Sequence, residues 1–530
     1  MPRSAALRGV KGWPGHLFPS KQLLGQLPHW DGTGSLSAGC RYETISWKNA
    51  KDRLPDYERT GVPEGAGREG GFDLGRMHRL LRSIGDPHLS FPAVQVVGTK
   101  GKGSTSALLS NILRASGYNV GTYASPHVAH EAERISCGTS QQYISPAALE
   151  ELKERHFACV AELGEPLSHF EVFTAAAFKY FQDQKVDIAV VEAGLGGLTD
   201  ATNVFPPPGQ LLSIVTAVGM DHRGALGNTI TEIATVKAGI LKEGRPVVLG
   251  MQPNPEAAAA VNAVAHEKGC PVLDCSMEMI VVPHGMTTLS SGRRAQRIDI
   301  LPTGDVPGFL AVSDAQLRLL GSHQQSNAAA AVRASWQLAV DGWKITPETI
   351  RKGLLATSLP GRLEILSGQV GGRGTQHLVL DAAHTPESAE ALVQGLREAF
   401  PGQPTVIVLA MLNDKDIRGF VKAIRKAIPK VIIFTTSDNE GTGMQSRAAN
   451  SGTLSAAWQL AAMEDRSPDT RRLRTRELVQ ASMEAAMAKA LDEAQAIEGG
   501  AIICVTGSFT AVRAAMTTNT FLDYFRHSQA

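Results

Sequence analysis

The stretch VVGTKGKGSTSALL, residues 96–109, constrains the fold more than any other part of the chain. It reads as a buried strand, a glycine loop carrying lysine, and an amphipathic helix that stops at Gly117. That order is a phosphate cradle. Glycines let backbone amides approach phosphate oxygens, and the helix N-terminus adds positive potential. The strict P-loop pattern puts Ser or Thr directly after the lysine. Here Gly103 follows Lys102, and Ser104 comes one place later. The structural alternative is a tight turn with no ligand, but strand before and helix after is the context a nucleotide site requires. The candidate nucleotide contacts are Gly98, Thr99, Lys100, Gly101, Lys102, Gly103, Ser104 and Thr105. Ser104 or Thr105 can offer a hydroxyl to magnesium, which prefers oxygen ligands and keeps some waters.

Around this unit, strand-like and helix-like segments alternate. NVGTYAS, VDIAVVEAG, LLSIVTAVG and PVVLG read as strands, and EVFTAAAFKYFQDQK and ITEIATVKAGILKEG as helices. Such alternation implies parallel βαβ units covered on both faces. Residues 281–318, with the basic cluster GRRAQR, read as irregular β-rich loops. SHQQSNAAAAVRASWQLAV reads as a helix. The Pro360–Gly361 breaker marks a boundary, after which the alternation restarts in HLVLDAA, TVIVLAM, KVIIFTT and AIICVTG. Helices are expected over 386–400, 415–428 and 476–496. Residues 438–475 lack periodicity and read as an insertion or long loop. The expected organisation is an extension over 1–45, a nucleotide-binding domain over 46–357 and a smaller domain over 358–528.

At 530 residues the chain exceeds one ordinary core. A net charge of +1 gives no support for a nucleic-acid partner, and no apolar run is long enough to span a membrane. The six cysteines lack metal spacing and read as reduced, buried thiols. Met1 to Trp30 contains no Asp or Glu but does contain Arg3, Arg8, Lys11 and Lys21. That composition suits an organellar transit peptide, with a plain disordered extension as the alternative.

Other candidates sit at strand ends, where α/β sheets collect ligands. Glu192 in VVEAGLGGLTDATNV could hold a metal, or be a surface acid. Glycines 194, 196 and 197 suggest backbone pressed against a ligand. His222 in VGMDH could ligate a metal or contact phosphate, though a lone histidine is more often structural. Lys237 lies among Ala, Val and Ile. Its own context favours snorkelling, while a neutral amine there could form a metal-binding carbamate. Arg362 could clamp phosphate. Asp381 and His384 end a strand, and Asp414, Lys415 and Asp416 precede a helix, where ordinary capping competes.

Taken in order, GTKGKGST, SPH with RI, EAGLGGLTDATN, GMDH, KAGILKEG, GSHQQSN, PGR, DAAH and DKD resemble the folylpolyglutamate synthase and dihydrofolate synthase family, within the Mur-ligase-like superfamily. The resemblance implies an α/β fold, a P-loop NTPase-like parallel-sheet ATPase domain followed by a smaller Rossmann-like domain. It implies ATP-dependent ligation of L-glutamate to dihydropteroate through an acyl phosphate, in a monomer, with extension of a folate's glutamate tail or both activities as the alternatives and a non-catalytic nucleotide-binding protein as the remote one. Two magnesium ions, with a monovalent cation as a further expectation, would be held by Ser104, Glu192, His222 and carbamoylated Lys237. Asn327, Arg362 and Asp381 would contact ATP, and His384 would lie near the reacting phosphate. Lys102, Lys237, His222 and His384 are thus the expected catalytic set. Ser125, His127, Arg134, Phe170, Phe173, Thr174, Asp414 and Lys415 are expected substrate contacts. VKAGILKEGRPVVLG and LDAAHTPESA are more similar to plant-type dihydrofolate synthases, which are mitochondrial; plastid and cytosol are the other compartments. Leu198–Thr199 and Ala382 depart from the usual family residues.

Overall fold

The computed structural model describes residues 54–57, 62–68, 71–157, 167–304, 306, 309, 311–369, 375–437, 447–464 and 475–525. The expected transit segment lies outside them. Residues Ile45–Ala530 form one compact unit that carries every described strand.

The first sheet has eight strands: β1 (Ala93–Val97), β2 (Val120–Tyr123), β3 (Ile135–Cys137), β4 (Gln142–Tyr143), β5 (Ile188–Glu192), β6 (Gln210–Val215), β7 (Val247–Leu249) and β8 (Val272–Asp274). Their order is β4-β3-β2-β5-β1-β6-β7-β8. β1, β5 and β6 are buried at every position. That is why they read as unbroken apolar runs, as strands covered on both faces do. β1 pairs in parallel with β5 and β6, with Val96 opposite Glu192 and Val97 opposite Val215. This register brings the cradle loop, Glu192 and the loop leading to His222 to one edge of the sheet.

Residues 281–318 are more regular than expected. β9 (Met279–Thr288), β10 (Arg294–Pro302) and β11 (Val312–Leu317) form a three-stranded antiparallel sheet. GRRAQR runs from the hairpin into β10, where Arg297 and Asp299 alternate with the buried Ile298 and Ile300, as suits a sheet with one covered face.

The last sheet has six strands: β12 (Glu364–Gln369), β13 (Thr375–Leu380), β14 (Thr405–Leu409), β15 (Val431–Phe434), β16 (Arg476–Val479) and β17 (Ile502–Thr506). Their order is β12-β13-β17-β14-β15-β16, and only β12 runs antiparallel to its neighbour. Two expectations fail here. Residues 476–496 are not one helix: Arg476–Val479 is an edge strand, and the helix is Met483–Ala496. The Ser482 side chain caps that helix at Ala485 N–H, which sets its start. Nor is 438–475 all loop, because Ser451–Glu464 is helical with Leu454, Trp458 and Ala461 buried. Residues from ahead of the last sheet enter its cores. Val128, from the loop after β2, packs with Leu366 and Leu380 in the small-sheet core, and Leu320 packs with Leu363 and Ala383.

Candidate active site

The cradle begins where β1 ends. Gly98 (φ 155°) and Gly101 (φ 89°) adopt backbone that side chains disfavour. A Cβ on Gly101 would lie 2.1 Å from Asn327 Oδ1, so the glycine lets the helix Ser322–Val340 bring Asn327 against the loop. Thr99 and Lys100 donate their amides to the Ala217 carbonyl at 2.9 and 3.0 Å. They fix the loop, and neither amide faces phosphate. The open donors belong to the next turn. The helix Lys102–Ala115 starts at Gly101 with no side-chain cap, so its first amides have no partner within the helix. Gly103 has a separate reason. A Cβ there would meet Glu192 Oε2 at 3.3 Å, so the extra glycine admits a carboxylate beside Ser104.

Glu192 is 3% exposed. Its Oε2 accepts the Ser125 amide at 3.2 Å, and Lys102 Nζ stands 4.0 Å from Oε1. Burial pushes its pKa up against the pull of Lys102. The glycines beyond it press on protein rather than ligand. A Cβ on Gly194 would meet the Phe170 ring at 2.4 Å, and one on Gly197 would meet the Lys237 carbonyl at 2.5 Å. Asp200 closes this loop by accepting the amides of Leu195 and Thr202.

Lys237 does not snorkel. It is 4% exposed, and its Nζ donates to the Gly98 carbonyl at 2.9 Å. Burial, then the nearby Lys102 charge, pushes its pKa down to about 7, so a large neutral fraction exists at neutral pH. His222 sits in left-handed backbone (φ 48°) with a half-exposed ring, 3.8 Å from Asp221 Oδ2. Burial and the charges of Lys237 and Lys102 hold it below its ordinary pKa, against Asp221.

The small sheet supplies the facing wall. Arg362 lies over the Phe509 ring, 4.7 Å from its centroid. Asp381 accepts the amides of Leu363 at 2.7 Å and Ala383 at 2.9 Å, so both its oxygens brace backbone around Arg362. His384 Nδ1 lies 2.9 Å from the Ala382 carbonyl. A carbonyl only accepts, so Nδ1 carries the proton and the neutral ring leaves Nε2 as an acceptor. Burial, then Lys100, pushes the His384 pKa down to about 4. A cavity of about 820 Å³ joins both walls, lined by Lys102, Ser104, Glu192, Asn327, Arg362 and His384 among others.

Comparison with known proteins places this arrangement. The Mur ligase, glutamate ligase domain family matches residues 361–509. A dihydrofolate synthase/folylpolyglutamate synthase of Bacillus subtilis is 34% identical over 376 residues, 69% of this chain and 81% of the relative. A folylpolyglutamate synthase of Lacticaseibacillus casei is 34% identical over 410 residues, 75% of this chain and 90% of that protein. This chain belongs to the dihydrofolate synthase/folylpolyglutamate synthase family. It is therefore an ATP-dependent ligase. A structure of Mycobacterium tuberculosis folylpolyglutamate synthase complexed with ADP and AMPPCP agrees with a TM-score of 0.69 and 29% identity, covering 84% of this chain and 95% of that one.

Within this ligase the expected residues divide into two groups. Ser125, Phe170, His222, Asp414 and Lys415 line the same cavity as the cradle, Glu192 and His384. Gly98, Thr105 and Lys237 do not: the Gly98 carbonyl accepts from the buried Lys237 amine, and Thr105 is fully buried. His127, Arg134, Phe173 and Thr174 also lie off the cavity. Arg134 Nε donates to His127 Nδ1 at 3.0 Å and its guanidinium covers the buried Phe173 ring. The Thr174 hydroxyl is spent on Tyr123 and the Phe170 carbonyl. Arg134, Phe173 and Thr174 are buried, and His127 is half-buried. Sequence reasoning missed Tyr57, Phe72 and Arg76, which line the cavity near Phe170. The rings of Tyr57 and Phe72 are 5.3 Å apart, and Arg76 bonds Glu171 at 2.6 Å. Asp200 and Arg447 were missed as well, although Asp200 stands in a quoted motif.

The donor set fits magnesium in part. Among the described residues no three His, Cys, Asp or Glu side chains form a ready metal cluster. Magnesium bound to a nucleotide needs few protein ligands, because phosphates and water fill the rest. A buried Glu192 beside Ser104 suits one such ion. A second requires Lys237 as its carbamate.

Proposed function

We propose that the ligase joins L-glutamate to dihydropteroate with ATP, giving dihydrofolate, ADP and phosphate. The observation that supports ligation best is the single cavity lined by a phosphate cradle on one wall and by Arg362, His384 and Lys415 on the other. One wall suits the nucleotide, and the other suits the groups that meet its γ-phosphate. The choice of dihydropteroate rests on VKAGILKEGRPVVLG and LDAAHTPESA. Extension of a folate's glutamate tail is the second reading, supported by the name of the Lacticaseibacillus casei relative, while the Bacillus subtilis relative carries both names.

In this reading the free amides of the first helical turn and Lys102 hold the β- and γ-phosphates, and Arg362 neutralises them from the opposite side. Magnesium at Ser104 and Glu192, with a second ion at His222 and carbamoylated Lys237, would supply further charge neutralisation. The substrate carboxylate attacks the γ-phosphate, and an acyl phosphate forms as ADP leaves. The glutamate amine then attacks the acyl carbon, and phosphate departs. His384 offers Nε2 as an acceptor, so it orients the amine, and the proton lost from the attacking nitrogen leaves with the departing phosphate. Walls drawn from two sheets exclude water and protect the acyl phosphate from hydrolysis.

The test is ADP release with purified protein and each acceptor in turn. ADP is expected only when dihydropteroate, glutamate and ATP are all present. Turnover with tetrahydrofolate but not dihydropteroate would move the assignment to tail extension.

A further inference from the structure

The basic cluster GRRAQR takes no part in the catalytic cavity, yet it opens on a cavity of its own. The turn ahead of it is tight. Leu289 N–H donates to the Arg293 carbonyl at 2.8 Å, and Gly292 N–H donates to the Leu289 carbonyl at 2.8 Å. Arg294 then starts β10. β10 and β11 are antiparallel, with Gln296 opposite Leu317, so the chain that leaves β11 runs beside Arg294. The Gln296 side chain holds that stretch by donating to the carbonyls of Leu319 at 2.6 Å and Gly321 at 3.2 Å. Arg293, Arg294 and Arg318 are thereby set around one small cavity of about 60 Å³, lined also by Ser358, Arg362 and Glu364.

Its charges do not balance. Arg362 borders the catalytic cavity too, and its charge is met there by Asp381 and Glu192. Glu364 is the one acid among the described residues of the small cavity, and it already accepts the Gly361 amide at 3.0 Å. With Arg362 and Arg293 both left out, two guanidiniums still face one carboxylate. Arg318 is half-buried, and its guanidinium makes no hydrogen bond or close ion pair with a described residue. Burial, then the Arg293 charge, pushes its pKa down, against Glu364. The Arg294 guanidinium stands 5.6 Å from the centre of the Phe400 ring, a contact that uses none of its N–H groups. Half-buried cations held together repel and lose hydration unless an anion joins them. The arginine fork matches an oxyanion with two parallel bonds.

We infer that this cavity is an oxyanion site, separate from the nucleotide cradle, in which Arg294 and Arg318 bind a phosphate-class dianion. Two sources offer the chemistry: free inorganic phosphate, and the carboxylates of a γ-linked glutamyl chain. The site joins β10, the end of β11 and the linker into β12. Arg294 against Phe400 and Leu320 against Leu363 already cross that junction. A bound anion would brace it further.

The test uses the full chain saturated with AMPPCP and magnesium, so that the cradle is filled. Hydrogen exchange at 289–294 and 316–320, and the Tm, are followed against inorganic phosphate, γ-linked triglutamate and sodium chloride at equal ionic strength. Phosphate is expected to slow exchange saturably in both segments. Arg318→Gln and Arg294→Gln are each expected to raise the half-saturating concentration about tenfold, as loss of one charged hydrogen bond would. Without added anion, Arg318→Gln is expected to be no less stable than the unaltered chain, because repulsion with Arg293 is relieved. A lower Tm of Arg318→Gln in every buffer, or its failure to fold, would mark a structural arginine and overturn the inference. Equal protection by chloride overturns it as well. So does phosphate protection that persists in both variants, which exclusion of phosphate from the protein surface would produce. Protection by triglutamate at lower concentration than phosphate, lost in Arg318→Gln, supports the site and assigns it to a glutamyl chain.

Discussion

At the scale of single residues, the site depends on small differences in what a side chain can reach. Gly103 looks like a misplaced P-loop residue until Glu192 is set 3.3 Å from where its Cβ would be. Lys237 makes the same point about charge. Its apolar neighbours were legible in sequence, but whether its amine reached water was not. That depends on the Gly98 carbonyl, 139 positions away. The buried amine has a measurable consequence. Its folded pKa is about 7, against 10.5 ordinarily. Between those values the unfolded chain holds the extra proton, so stability rises with pH across that window and is flat below it. In magnesium-free, CO2-free buffer the unaltered protein should gain about 2 kcal/mol between pH 7 and 9 relative to Lys237→Met. Urea titrations at both pH values measure this. Parallel pH dependence in the two proteins would show that Lys237 is charged in the folded state.

At the scale of elements, strongly patterned segments were read correctly and compensated ones were not. SHQQSNAAAAVRASWQLAV is one helix, Ser322–Val340, as its small apolar residues indicate. The strands of the parallel sheets carry continuous apolar runs and were equally plain. Arg476–Val479 was read into a helix because RELV has no apolar run; as an edge strand it needs none. Phe173 and Thr174 were placed in the pocket because helical spacing does not reveal which neighbour covers a face. Loops held by one side chain are the least legible. Glu133 accepts the amides of Val128, Ala129 and His130 at 2.9, 3.0 and 2.9 Å, and so presents Val128 to the small-sheet core. Glu133→Gln removes the charge from these bonds and leaves an NH2 that cannot accept. Loss of such bonds costs about 1.5–3 kcal/mol locally. Hydrogen exchange at 128–130 should quicken by roughly 10- to 100-fold, while β3 exchanges as before. Unchanged exchange across the loop would mean that packing of Val128, not Glu133, holds it.

At the scale of the molecule, family, fold class and the order of chemical groups were readable because they are local in sequence. The joining of two walls into one cavity was not, because it depends on Val128 and Leu320 crossing into the small-sheet cores. That joining makes the nucleotide a structural link. Its phosphates would meet the Lys102 turn on one side and Arg362 on the other. A ligand that binds only the folded protein stabilises it by about 2.7 kcal/mol at one hundred times its Kd. If the ligand touches both walls, that stabilisation applies to the whole unit. Calorimetry with AMPPCP and magnesium should show one cooperative transition moving to higher temperature. Arg362→Ala should weaken AMPPCP binding while leaving the helix Lys102–Ala115 protected from exchange, because that helix packs within the large-sheet core. Two separate transitions, with AMPPCP shifting only one, would show that the cradle wall binds nucleotide alone. Water exclusion from the acyl phosphate would then have to come from the substrates rather than from the junction of the sheets.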